Sequence, residues 1–274
     1  MIRQRVPLIL ALAAIGAQIV YPLVDGSSRD AVTIAVVGLL AAASISHAAI
    51  NRGVVWTAAL IAVTAGVGLA SEIVGTATGM PYGCYGYSVD RLGPALSDVP
   101  LIVPFAWTAG FYPIWCVATR LVQRFTPASR RIGRVALTVT GLVGWDLYLD
   151  PQMVADNQWA WCVDNAGLAG IAHIPLTNYA GWIAIGLIMA TIMEAITSRF
   201  EKPTLSDAVP YGLFLWTWLG SALAHAVFLS APELRYSAMY GFVVMGILGV
   251  WLLATFGVAF ARSRTSHADT PPRS

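Results

Sequence analysis

Residues 132–151 read IGRVALTVTGLVGWDLYLDP. Apart from Arg134, the stretch up to Trp145 is apolar or small. It is long enough for a helix that crosses a bilayer, which needs about 20 mostly apolar residues. Two carboxylates close it, Asp146 and Asp150. Four residues apart on a helix, they share one face about one turn from each other. A charge at the centre of a spanning helix costs roughly 2.5–3.5 kcal/mol, so such residues persist where they are used or paired. Pro151 is expected to end or kink this helix.

Working outward, long apolar stretches recur at about 6–24, 31–50, 54–75, 101–123, 178–198, 208–230 and 237–261, besides 132–150. The 274-residue chain is 57% hydrophobic and only 11% charged, against about 25% charged in soluble domains. The pattern predicts an all-α, polytopic integral membrane helix bundle of about eight transmembrane helices. It forms a single membrane domain over 1–264, with a disordered polar tail at 265–274. Arg3 and Arg5 precede the first apolar run as in a signal peptide. That run is long and has no compelling cleavage site before Tyr21-Pro22, so it reads as a retained helix.

Eight spans put both termini on one side. With that side in the cytoplasm, the inner segments hold Arg3, Arg5, Arg52, Arg120, Arg124, Arg130, Arg131, Arg134, Arg199, Lys202, Arg262, Arg264 and Arg273. The outer ones hold Arg29, Arg91 and Arg235. Thirteen against three predicts a multi-pass plasma-membrane protein with both termini cytoplasmic. The Arg120–Arg134 cluster reads as a topology signal among head groups, not as a nucleic-acid site. The third and fifth spans then carry Glu72 and Asp146/Asp150 to the outer side. The sixth starts there with Asn178, and the seventh brings His225. The two long loops, about 76–100 and 151–177, share that side and are rich in Gly, Pro, Tyr and Trp.

Almost no basic residue lies near the three acids in sequence. Like charges one turn apart in a poorly solvated site do not both ionise easily. One carboxyl can therefore hold a proton while a partner carries charge, and Glu72 is the natural third member. The alternative is structural: Asp150 caps a loop and Asp146 bonds a neighbouring helix. The four histidines, His47, His173, His225 and His267, are too scattered for a di-iron cluster, and His225 suits helix packing better than ligation. A prenyltransferase would need a second aspartate-rich motif, and none is present. Gly75, Gly79, Gly83 and Gly86 are spaced for turns, with no phosphate-binding motif. Cys84 and Cys162 both fall in outer loops, where a disulfide is geometrically conceivable. The reading preferred is three unlinked thiols, with Cys116 inert in mid-membrane.

Several segments together resemble the CruF-type carotenoid hydratases. They are Glu72-Ile-Val-Gly75, Thr78 to Tyr87, Leu92-Gly93-Pro94, Val99-Pro100-Leu101, Pro104 to Trp107, Trp145 to Met153, Trp159-Ala-Trp161 and Ile174 to Trp182. They cover about 70–185, and the flanking spans are similar only in hydropathy. The chain departs from the pattern at Ile171-Ala172-His173-Ile174-Pro175, where the family usually has an aromatic before Gly-Ile-Pro. The resemblance implies carotenoid biosynthesis: water adds to the terminal double bond of an acyclic carotenoid end, giving a tertiary alcohol. It implies no redox cofactor and no metal, with a carotenoid and membrane lipid as partners. The roles that follow are Asp146 or Glu72 as acid, Asp150 as stabiliser or water activator, and Asn178 as water positioner. Tyr82, Tyr85, Tyr87, Trp107, Trp145, Trp159 and Trp161 are the expected polyene lining. The competing reading is a proton-coupled transporter or a non-catalytic carotenoid binder. Transporters commonly show repeated halves, and no repeat is visible here.

Overall fold

The computed structural model describes residues 5–163, 167–200 and 206–268. Arg3, Lys202, Arg273 and the tail beyond residue 268 lie outside the described residues. Among these residues the order is α1 (Arg5–Val20), α2 (Gly26–Asn51), α3 (Val54–Ile61), α4 (Val67–Thr78), β1 (Tyr85–Tyr87), β2 (Ala95–Leu96) and β3 (Val99–Pro100). Then follow α5 (Ile102–Leu121), α6 (Pro127–Ala155), β4 (Trp159–Trp161), β5 (Gly167–Leu168), β6 (Ile171–Pro175), α7 (Leu176–Phe200), α8 (Ala208–Leu223) and α9 (Leu234–Ala268). A π turn at Ala62–Gly66 joins α3 to α4 as one span, and a second, Ala224–Phe228, extends α8. The chain is thus an all-α polytopic membrane bundle, with three small two-stranded sheets in its loops.

Seven spans are long and apolar enough to cross a membrane. The eighth stretch, α6, is less apolar because it carries Arg130, Arg131 and Arg134 near one end and Asp146 and Asp150 near the other. Its 29 residues extend about 43 Å at about 1.5 Å per residue. It packs against α5, α7 and α9, so Arg134, Asp146 and Asp150 meet protein instead of lipid. At the basic end the buried Arg134 makes a two-pronged pair with Glu194 of α7, at 2.7 and 3.0 Å. Arg52, also buried, pairs with Asp207 at 3.1 Å.

The expected end at Pro151 is corrected: α6 continues four residues further, to Ala155. A proline inside a helix frees the carbonyl four residues earlier. Here that carbonyl, Leu147, accepts from the Ser237 hydroxyl of α9 at 2.6 Å, the kind of rescue that lets prolines sit within membrane helices. Ser237→Ala should leave that carbonyl unpaired and lower stability by about 1–3 kcal/mol, read as the thermal midpoint of detergent-purified protein.

Candidate active site

Asp146 and Asp150 face α7 from successive turns of α6, and Asn178 in the first turn of α7 bridges them. Its side-chain nitrogen donates to Asp146 Oδ2 at 3.0 Å and also to Asp150 Oδ2. Trp159 donates its indole N–H to Asp150 Oδ1 at 3.1 Å. Asp146 is fully buried, and its Oδ1 has no hydrogen-bond partner. Among the described residues no ion pair includes Glu72, Asp146 or Asp150.

Glu72 comes from α4. Tyr85 and Tyr87 donate their hydroxyls to its Oε2, the latter at 2.8 Å. Trp107 of α5 donates to Oε1 at 3.2 Å. Two glycines on α4 make room for these aromatic groups. A Cβ on Gly68 would lie 2.6 Å from Trp107 Cδ1, and one on Gly75 would lie 2.7 Å from the Tyr85 hydroxyl. Gly68→Ala should overpack the site and cost about 1–3 kcal/mol, again as a lowered thermal midpoint. Burial, with the Glu72 carboxylate adding to it, pushes both Tyr85 and Tyr87 well above the ordinary tyrosine range. Both phenols therefore stay as O–H donors.

The two long loops meet in the antiparallel pair β1–β4, with Tyr85 opposite Trp161 and Tyr87 opposite Trp159. Side chains two apart on a strand share a face, so all four rings turn towards the acids. Immediately beyond this pair Cys84 and Cys162 form a disulfide. This corrects the reading of unlinked thiols. The ladder brings the two residues together, and Cys162 N–H donates to Cys84 C=O at 2.8 Å. Cys116 is a buried free thiol. Ion pairs tie α2 to the same loops: Arg29 with Asp156 at 2.7 Å and Arg91 with Asp30 at 2.6 Å. Paired Cys84→Ser and Cys162→Ser substitutions should loosen the two joined loops, costing about 2–4 kcal/mol and exposing residues 79–100 to protease at lower temperature.

Glu72, Asp150 and the rings line a cavity of about 70 Å³. Glu72, Asp150 and Asn178 reach its wall, as do all seven aromatic residues singled out from sequence. Tyr82 is held by a 2.8 Å bond to the Ser71 hydroxyl. Trp161 Nε1 is buried without a partner. Asp146 lies behind Asp150, off the wall. Trp182 of α7, which had no assigned role, stacks on Trp107 with ring centroids 4.0 Å apart and meets Trp145 edge-on at 5.8 Å. Thr33 and Val37 of α2 complete the lining, and nothing in that ordinary apolar span marks them. His225 is not part of the site. It bridges Ser237 and Gln152, each at 2.9 Å, which is a packing role. His173, at the point of departure from the resembled pattern, does not reach the cavity wall.

A family model described as carotenoid biosynthesis protein matches residues 33–248. Bisanhydrobacterioruberin hydratase of Haloarcula japonica is 29% identical over 197 residues, 71% of this chain and 62% of the relative. The chain thus spans less than two thirds of that relative's length. No solved structure matches.

Proposed function

The chain belongs to the carotenoid biosynthesis protein family, and from that premise we propose that it adds water to the terminal double bond of an acyclic carotenoid end, giving a tertiary alcohol. The observation that carries this reading is the arrangement of acids: a paired Asp146–Asp150 and a separate Glu72 beside an aromatic cavity, with no cation among the described residues paired to them.

Hydration of a trisubstituted alkene requires a proton on the less substituted carbon. The π electrons form the new C–H bond and leave a tertiary cation. A water oxygen then bonds to that cation and loses a proton. The two aspartates share one amide donor and no cation, so they hold one proton between them. Asp150 faces the cavity, so it delivers that proton, and Asp146 behind it keeps the pair's charge balanced. This order differs from the sequence expectation, in which Asp146 or Glu72 is the acid. Glu72, held in place by three donors, stabilises the cation. Trp107, Trp145 and Trp182 add ring faces suited to a cation. Asn178 positions the water with its carbonyl oxygen, and the attacking water returns a proton to the aspartate pair.

The site faces the outer leaflet, with both termini in the cytoplasm, on the strength of the charge bias. Reporter fusions at the two termini test this directly. The function is tested by expressing the chain in a bacterial host that accumulates lycopene and separating the pigments. A more polar pigment heavier by one water is expected. A panel of acyclic and monocyclic carotenoids left unchanged by folded, membrane-inserted protein would sink the proposal.

A further inference from the structure

A second, larger cavity adjoins the acid site. Its volume is about 740 Å³, within the roughly 300–1,000 Å³ of ligand pockets. It shares Thr33, Val37, Trp145, Leu149 and Met153 with the acid cavity. Trp145 stands at this junction, seated on Gly110, where an added Cβ would lie 2.1 Å from the indole. From there the cavity runs between α1, α2, α5, α6 and α8. Along α8 and its π turn it is lined from Gly212 to Phe228, about 24 Å at about 1.5 Å per residue. That is most of the roughly 30 Å hydrocarbon core of a bilayer.

Among the described residues no charged side chain lines this cavity. Two of its amide side chains are already engaged: Gln18 accepts from Trp216 at 2.8 Å, and Gln152 bonds His225 at 2.9 Å. The walls therefore offer little to a polar ligand and a long apolar surface to a hydrocarbon. The acid cavity, at about 70 Å³, has room for an end group and no more. A long substrate must place the rest of its length elsewhere.

We propose that the larger cavity is the seat of the polyene tail, which enters between α1 and α8 and passes its reacting end beside Trp145 to the acids. The assignment rests on the hydratase reading for the identity of the occupant. The same chemistry would suit a phospholipid acyl chain, so the test must separate the two. A polyene carrying a diazirine at the end remote from the reacting double bond is irradiated with the wild-type protein in nanodiscs, and the adducts are mapped by mass spectrometry. Adducts on α1 and α8 wall residues are expected, suppressed by excess unlabelled polyene and not by excess phospholipid. Adducts confined to other faces, or displaced equally by phospholipid, would overturn the assignment.

Gly212→Phe supplies an independent arm, because a Cβ at Gly212 meets open space and the ring fills the cavity far from the acids. It should cut adduct yield and hydration of the long polyene at least about tenfold (about 1.4 kcal/mol). A short analogue with the same end group should still be hydrated. Correct adducts with no hydrated pigment from any substrate would sink the hydratase reading while supporting the cavity assignment. Unchanged adducts and turnover in folded Gly212→Phe would count against the cavity.

Discussion

Asp150→Asn is expected to lower hydration by about 10²–10⁴-fold, the usual worth of a positioned general acid, while the protein still inserts and folds. Asparagine keeps the size of the side chain, and its one carbonyl oxygen can still accept from one of the two donors that hold Asp150 now, Trp159 and Asn178. What it removes is the transferable proton at the cavity wall. Asp146→Asn should also fail, by a different route. Asp146 accepts from the same Asn178 amide that holds Asp150, so an amide at position 146 disturbs the bridge that aligns Asp150 with the cavity. The two variants then part in size, Asp146→Asn retaining more activity than Asp150→Asn. Hydrated pigment per unit of purified protein, with monodispersity as the folding control, gives the answer. Full activity in Asp150→Asn would remove it from proton delivery and return the acid role to Asp146 or Glu72.

The site was legible in sequence as far as it depends on charge in an apolar setting. Glu72, Asp146, Asp150 and Asn178 stand out because their neighbours are hydrocarbon, and the structure brings all four to one place. Which aspartate reaches the cavity was not legible, because that depends on how α6 is rotated against α7. The lining was readable where it is aromatic and silent where it is aliphatic: Trp159 and Trp161 announce themselves, whereas Thr33 and Val37 look like any span. The disulfide was hidden for a related reason. It follows from the β1–β4 pairing, and strands of three residues each, 71 residues apart, leave no readable period. The continuation of α6 past Pro151 depends on Ser237, which lies on a helix that begins far downstream.

Glu72→Gln is expected to lower kcat by about 10²–10³-fold, in the range seen when one electrostatic stabiliser of a transition state is removed. The substitution keeps the shape and at least one acceptor for Tyr85, Tyr87 and Trp107, but it removes the negative charge. In a cavity lined mostly by aromatic rings that charge is weakly screened, so its attraction for a carbocation is much larger than it would be in water. The alkene substrate is neutral and gains little from the charge, so KM should change far less than kcat. This is the pattern of an interaction made mainly in the transition state. A cation mimic separates this role from that of a proton donor. A polyene whose reacting carbon is replaced by a tertiary ammonium resembles the cation, and such analogues bind at least about 10²-fold tighter than substrate. Wild-type protein should bind it tightly and Glu72→Gln should not, whereas Asp150→Asn should retain most of the affinity. If Glu72→Gln bound the ammonium analogue as well as wild type does, Glu72 would not be the counter-ion of the cation. The three donors around it would then be holding a structural carboxylate.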